Sequence, residues 1–575
     1  MRSSDIKEKL LKVGYRITDE GHIADFKNTF IANMIINPKK QTPRKLNGKE
    51  EMYVLIGVSV DGKAEKEVYL SASELYKLQW IPSKIGAHAE IANGKEREFI
   101  SIIKKLFKGT EIIEACDRTG WKRISDQFSY NDFTGAITGE NSVVELDEHL
   151  SNYNLSREDR SITLAAKASL DLINVVNKNV FYTLMALVFL CPLLEFIKET
   201  AKLPEFVVWL YGFTGTRKTT IAKLFASHFG DFTNRVTASF NDTYASIELK
   251  AYKLKDSLMI LDDFCPQQSF KETQNINTIA EKVVRAYGDR TSRGRLTVTM
   301  ESQTQLIPGG MAIITGETIV PGNSTVARIV PLEVKKADVD LKELSKSQGE
   351  SELLSIVMRK YIIWISKEVN SNKDDFLEAI KENYNYFLEE ISVRAIDTHG
   401  RTYEAFSWLL VGLDMMYQFY LSNGIVSEEE VDVAMVEAKS EFLELIKTKH
   451  ELSRTDNPMD LFLDTVKELI TSRTITLKNL DTQDVIGNPY KPIDGFFDSE
   501  FYYFNANNIY GLVRGKLIKA GIFMQLPVRG LLKVLADNGV IKVEDTSNQP
   551  KKTIKNEDGT SSRPRMLHIR KEFLD

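Results

Sequence analysis

The sequence predicts a multidomain α/β protein built around a parallel β-sheet covered by helices. Three observations carry this. Between residues 206 and 334, apolar runs of strand length alternate with helical segments, as in a parallel sheet buried on both faces. The first of these runs leads through a Gly-containing loop straight into a helix. From about 350 the pattern turns wholly helical, and past 459 a smaller helix-and-strand segment follows. The 575 residues are 43% hydrophobic and include 29 Phe, 21 Tyr and 5 Trp, enough for several cores and too many for a disordered chain. Gly and Pro are low and aperiodic, which excludes a fibrous protein.

Residues 1–157 read as an α+β domain. Tyr53–Val60 alternates, Asp61-Gly62 makes a turn, and Glu67–Leu70 returns, a hairpin signal. Ser73–Trp80 and Glu96–Phe107 have helical spacing, and Glu111–Ala115 and Gln127–Tyr130 read as strands around Thr119-Gly120-Trp121. Residues 158–337 form the sheet core. Two helices, Glu158–Val176 and Phe181–Thr200, precede the strands Phe206–Tyr211, Ser257–Leu261, Leu296–Met300, Met311–Ile314 and Arg328–Val334. Helices are expected at Thr219–Phe229, Ala245–Lys253 and Ile276–Tyr287. Asn179–Leu194 is the most apolar stretch, at 16 residues too short for the ~20 of a membrane span. It reads as a buried helix.

Residues 338–449 are helical: Glu352–Lys367, Asp374–Leu388, Thr402–Leu421 and Ser427–Lys447. The polar stretch 450–458 is the expected linker. Residues 459–575 carry helices at Met459–Thr471, Asn507–Lys519 and Val528–Asn538. A Gly539 cap, strands at Val540–Val543 and Met566–Ile569, and a polar tip between them follow. Two helices and a β-hairpin are a winged-helix pattern. Its expected core is Leu517, Ile518, Leu531, Leu532, Val534, Leu535, Val540, Ile541, Val543, Met566, Leu567 and Ile569.

The formal net charge is −5, yet residues 501–575 hold 13 Lys/Arg against 7 Asp/Glu. A basic tail on an acidic body fits either a polyanion contact or a solvated surface. Three distant Cys form no CxxC pair, and the N-terminus has no apolar signal segment, so a reduced, cytoplasmic protein is expected. Seven scattered His make a zinc site unexpected.

The chemistry concentrates in Gly212-Phe213-Thr214-Gly215-Thr216-Arg217-Lys218-Thr219-Thr220, between an apolar strand and a helix. This is the context of a phosphate-binding P-loop. Glycines let the backbone wrap phosphate oxygens, while amides and the helix N-terminus stabilise the charge. Lys218 would neutralise the β- and γ-phosphates of ATP, and Thr219 would place its hydroxyl on Mg²⁺. Arg217 departs from the consensus, which has Gly before the Lys. Alone, the motif could be a simple Gly turn. The second motif, Ser257–Leu261 ending in Asp262-Asp263, follows Lys218 by 44 residues. Asp262 would hold Mg²⁺ and Asp263 would polarise water, where a helix N-cap is the plainer reading.

Further candidates follow. Thr315, ending the strand Met311–Ile314, could sense the γ-phosphate. Arg328 could reach a neighbouring subunit's nucleotide as an arginine finger, or pair with a carboxylate at a strand edge. Arg394 and Arg401 are candidates for a second sensor, with Arg401 preferred, or are ordinary helix-end charges. The segment from Arg285 through Arg290 and Arg293 to Arg295 reads as a basic loop able to grip DNA phosphates, or as a solvated loop. In the tail, Arg529 and Lys533 sit four apart on one helix. Lys551, Lys552, Lys555, Arg563 and Arg565 mark the tip as a second DNA-binding stretch.

With these residues named, a resemblance emerges. Cys191-Pro192-Leu193-Leu194 before the P-loop strand, GFTGTRKTT, LDDF, RAYGDR and ITGE resemble the MCM-like AAA+ replication helicase-initiators of Gram-positive mobile elements, among them those of staphylococcal pathogenicity islands and cassette chromosomes. The resemblance implies an AAA+ ATPase core with a helical lid. It implies a hexameric, ATP- and Mg²⁺-dependent DNA helicase that recognises its own origin through the winged helix, contacts origin duplex and single strand, and translocates on DNA by ATP hydrolysis. Other replication proteins would be partners, and a membrane would not. A DNA-binding initiator or regulator using ATP only as a conformational switch is the alternative, and a DNA-packaging or transposition ATPase is a third reading. No primase is visible in residues 1–150, and no additional acidic cluster suggests a nuclease or polymerase.

Overall fold

The structure, a computed structural model, describes all residues except 1, 2, 47, 48, 111, 114, 125, 126, 140–142, 145, 266–268, 293–304, 396–399, 456, 457, 520–523, 525, 545, 546, 556–559 and 575. Its centre is a five-stranded parallel sheet. The elements run α1 (Lys178–Leu190), β1 (Val207–Tyr211), α2 (Lys218–Ala226), β2 (Ala238–Ser239), α3 (Tyr244–Lys253), β3 (Leu258–Phe264), α4 (Phe270–Gly288), β4 (Met311–Gly316) and β5 (Ile329–Glu333). The strand order is β2-β3-β4-β1-β5, every pair parallel. The strands are buried almost throughout, as their unbroken apolar runs require. The two-residue β2 carries no periodic signal and is absent from the sequence reading. The expected strand Leu296–Met300 lies outside the described residues.

Four long helices follow: α5 (Ser351–Ser371), α6 (Lys373–Arg394), α7 (Gly400–Ser422) and α8 (Glu428–Thr455). They share one hydrophobic core with the sheet, reaching from Trp121 to Ile446. α7 lies against α1 so closely that a Cβ on Gly412 would stand 2.3 Å from the carbonyl oxygen of Ala186. The apolar stretch Lys178–Thr200 is long and apolar enough to cross a membrane, but it is wrapped by this core. A single shared core gives no packing boundary at 337.

The boundary expected at 157 moves as well. Residues 6–107 have their own core, under two three-stranded sheets and the helix Glu96–Leu106. The hairpin turn is where the sequence puts it, with Asp61 and Gly62 both at positive φ (50° and 68°). The helix expected over Ser73–Trp80 stops at Leu75, because Leu78 turns to φ 60° and Pro82 opens a π-turn over Ile81–Ile85. Residues 115–155 pack on the central core instead. Trp121 donates its indole N–H to the Pro192 carbonyl (2.7 Å) and sets its ring edge-on to Tyr130 and Phe196. Its backbone N–H reaches the Asp256 carboxylate (2.9 Å).

The linker expected over 450–458 is helical at least to Thr455, because no Gly or Pro intervenes before Pro458 and Lys449 is buried. Then come α9 (Pro458–Thr471), β6 (Leu477–Asn479), β7 (Val485–Ile486), β8 (Gly495–Phe497), β9 (Phe501–Phe504), α10 (Ala506–Lys519), α11 (Val528–Asp537), the hairpin β10 (Ile554–Lys555) and β11 (Ser561–Ser562), and β12 (Leu567–Arg570). The two helices occur in the expected order, but the hairpin β10–β11 lies within the stretch read as a polar tip rather than being formed by Val540–Val543 and Met566–Ile569. Of the sheet β7-β6-β8-β9-β12, the sequence pattern shows only β12, expected at Met566–Ile569, because the other strands are two to four residues long and show no alternation. Val540–Val543 reduces to a bridge between Ile541 and Ile569. Val543 and Ile518 are exposed rather than in the core, and Val534 is only partly buried.

Candidate nucleotide-binding site

The loop 212–217 leaves β1 and enters α2 at the edge of the sheet. Gly212 has φ 149°, and a Cβ there would stand 2.3 Å from the Val334 carbonyl oxygen, so the loop can start only with glycine. Arg217 is the N-cap of α2 and adopts the left-handed conformation, φ 67° and ψ 19°. The Gly of the consensus takes that conformation without cost, whereas an L-residue gives up ~1–2 kcal/mol. Its charged side chain is exposed. We therefore expect Arg217→Gly to keep nucleotide affinity and to hold or slightly raise the unfolding midpoint. A β-branched Arg217→Val should lower both, because such residues are outliers at positive φ. Titration with a fluorescent ATP analogue and a denaturant melt check this.

Lys218 opens α2 and is buried. Its ammonium donates to the carbonyl oxygens of Gly212 (2.8 Å) and Phe213 (3.0 Å). Burial lowers its pKa, opposed by Glu317, Asp262 and Asp263. Across the cleft, the Asp262 carboxylate accepts hydrogen bonds from the hydroxyls of Thr219 (2.7 Å) and Thr315. The Thr315 hydroxyl in turn accepts from the backbone N–H of Asp263 (3.3 Å). Strand order explains this convergence. β4 lies between β1 and β3, so its tip reaches the acids at the end of β3.

Asp263 sits at a register shift of β3 between Leu261 and Phe264, with φ 70°. A bulge of this kind re-aims side chains at a strand end. It lets two successive acids serve one cleft, where a regular strand would send them to opposite faces. The cleft has about 640 Å³ of open space and is lined by Thr214, Gly215, Arg217, Lys218, Thr219, Thr220, Asp263, Thr315, Gly316 and Glu317.

Glu317 is the one charged lining residue to which the sequence pattern assigns no role. Its backbone N–H binds the Phe264 carbonyl (2.9 Å), and its carboxylate accepts the Thr214 hydroxyl. Thr214, then Cys265 and Lys218, hold its pKa below the ordinary carboxylate value. The chemistry of the site suits a magnesium nucleotide. Thr219 and Asp262 offer paired hard oxygens, and a buried ammonium stands beside the loop.

The other candidates fare differently. Arg328 is spent within its own chain: Nε and Nη2 donate to Asp289 (3.0 and 2.7 Å), and Nη1 to Ser324. Arg401 reaches the same Asp289 carboxylate (3.1 Å) and the Gly288 carbonyl. The strand-edge ion pair is thus the alternative seen for Arg328. Arg394 pairs with Glu390 (3.3 Å). Arg290 is no free phosphate grip. Its guanidinium donates to the carbonyls of Pro204, Pro308 and Gly310, because it follows directly on the C-terminus of α4 and turns inward. Arg293 and Arg295 lie outside the described residues.

In the C-terminal unit, Arg529 and Lys533 are exposed on α11, opposite the buried Leu531, Leu532 and Leu535. Lys551, Arg563 and Arg565 are exposed around the hairpin. Lys552 is not available as a phosphate contact. It donates to Asp498 (2.8 Å) and the Tyr503 hydroxyl (2.6 Å), with its ammonium 4.1 Å from the Tyr503 ring centre. That pairing holds the Asp498 carboxyl well below its ordinary value against the desolvation of its site.

Comparison with known proteins adds the fold. Residues 32–296 match a protein family described as "Domain of unknown function (DUF927)". No curated protein matches the sequence. A solved structure titled "SCCmec type IV Cch - active helicase" superposes with a TM-score of 0.64 at 12% identity, covering 97% of each chain. The fold is shared with a helicase. At that identity the likeness is one of architecture, and it runs nearly end to end, through the N-terminal sheets and the C-terminal unit alike.

Proposed function

We propose that the chain is an ATP-driven DNA helicase with an AAA+ core, working as a hexameric ring and recognising its own replication origin through a C-terminal winged helix. One observation carries the reading: Lys218, Thr219, Asp262 and Thr315, from three neighbouring strand ends, meet at one cleft behind a glycine loop. Lys218 would turn its ammonium from the Gly212 and Phe213 carbonyls to the phosphates, and the loop amides would hold the remaining oxygens. Thr219 and Asp262 would hold Mg²⁺, which when bound neutralises charge on the phosphates. Asp262 joins the two motifs through the Thr219 hydroxyl and holds Thr315, which would register the γ-phosphate, while Asp263, re-aimed by the bulge, would orient the attacking water. The helicase fold and the basic C-terminal surface support DNA as the partner. Unwinding of a forked DNA by the parent protein and by Lys218→Ala tests the reading. An inactive parent would leave ATP as a conformational switch only.

For the C-terminal unit, Arg529→Ala is expected to cost ~1–3 kcal/mol of origin binding and to relax sequence preference, as loss of a base-edge contact does. Lys551→Ala should weaken all duplexes alike and reduce the salt slope by about one. Anisotropy titrations of origin and scrambled duplexes across a salt series measure both. Equal, weak affinity for the two duplexes would move origin recognition elsewhere.

A further inference from the structure

Two carboxylates, not one, face the cleft on the side of the phosphate loop: Asp263 from the bulge of β3 and Glu317 just past β4. Glu317 is fixed from both directions. Its backbone is pinned to Phe264, directly after the paired acids, and its carboxylate to Thr214 within the phosphate loop. Glu317 and Lys218 line the same cleft, and the carboxylate attracts the ammonium that would meet the transferred phosphoryl group. Asp263 has the shorter side chain and sits on a left-handed backbone residue, so its reach is limited.

We propose that Glu317 is a catalytic residue of this site, the base that takes the proton of the attacking water. The proposal rests on the nucleotide-hydrolysing reading above. In the step, the water oxygen bonds to the γ-phosphorus as the bond from that phosphorus to the β–γ bridging oxygen breaks. The bridging electron pair leaves with ADP. One water proton passes to a Glu317 carboxylate oxygen and returns to phosphate or solvent as product departs, so no oxidant or further reactant is needed. Asp263 orients the same water from the other side. Thr214, whose hydroxyl Glu317 accepts in the resting site, is a positioning residue.

Three variants decide the matter, each read by steady-state ATPase kinetics and by direct titration with a fluorescent ATP analogue. Glu317→Gln keeps an oxygen to accept the Thr214 hydroxyl but cannot take a proton. It should lower kcat by about 100-fold or more, the scale of general-base catalysis. Its analogue affinity should stay within about threefold of the parent's. Glu317→Asp should recover part of kcat, and Thr214→Val, which removes only the positioning contact, should lose about tenfold or less. If Glu317→Gln turns over like the parent, or if Thr214→Val falls as far as Glu317→Gln, the proposal is overturned and Glu317 only braces the loop. A parent that binds no analogue would instead refute the nucleotide reading itself, so the two failures are distinguishable.

Discussion

Lys218→Ala is expected to abolish ATP hydrolysis and DNA unwinding while leaving duplex binding by the C-terminal unit intact. Among the described residues that line the cleft, the ammonium is the one buried cation. Arg217 is adjacent in sequence, but it is exposed and caps α2 from the left-handed region. Loss of a phosphate-clamping cation removes charge stabilisation from ground and transition states together, so affinity for the ATP analogue should fall along with kcat. The basic surface of α11 rests on a separate core and that of the hairpin on a small cluster of Tyr503, Ile554 and Met566, and both should be unaffected. ATPase assay, analogue titration and duplex binding on one preparation check the three parts. Substantial turnover by Lys218→Ala would remove the basis for the site.

The second large effect is on stability. Trp121→Ala should destabilise the central core by ~3–5 kcal/mol, the range for truncating a buried aromatic residue. Trp121 is 3% exposed, touches Tyr130 and Phe196, and satisfies the Pro192 carbonyl just past the end of the buried helix α1. Trp121→Phe keeps a ring and loses the indole donor, so a smaller loss of ~1–3 kcal/mol is expected from the orphaned carbonyl. Thermal melts followed by near-ultraviolet circular dichroism measure both. An unchanged midpoint for Trp121→Ala would mean that residues 115–155 do not dock on the core.

The parallel sheet and the loop chemistry were legible in the sequence because both are local. An apolar strand, a glycine turn and a helix are contiguous, and the five parallel strands are those of the apolar runs with one exception, the two-residue β2. What the sequence hid depends on distant partners. Glu317 has no role in the sequence pattern beyond following Thr315; only with β4 between β1 and β3 does its carboxylate meet Thr214. Arg290 and Lys552 carry the charge of phosphate binders, yet one is consumed by three backbone carbonyls and the other by Asp498 and Tyr503. Arg328 and Arg401, 73 positions apart in the chain, end on the same Asp289 carboxylate, which no spacing rule foretells. Periodicity also failed at Leu78, where a left-handed turn interrupts a good helical pattern, and in the C-terminal sheet, whose strands are too short to show alternation.

Arg290 has a mechanical consequence. Its three carbonyl partners lie at the roots of two strands: Pro204 just before β1, and Pro308 and Gly310 just before β4. Those strands end in the phosphate loop and in Thr315 and Glu317. A tug on the chain leaving α4 at this point is thus carried by one guanidinium into the two neighbouring strands whose ends line the cleft. Arg290 pins the end of α4 to the roots of both strands, so neither strand can shift against the other without breaking a bond of the same guanidinium.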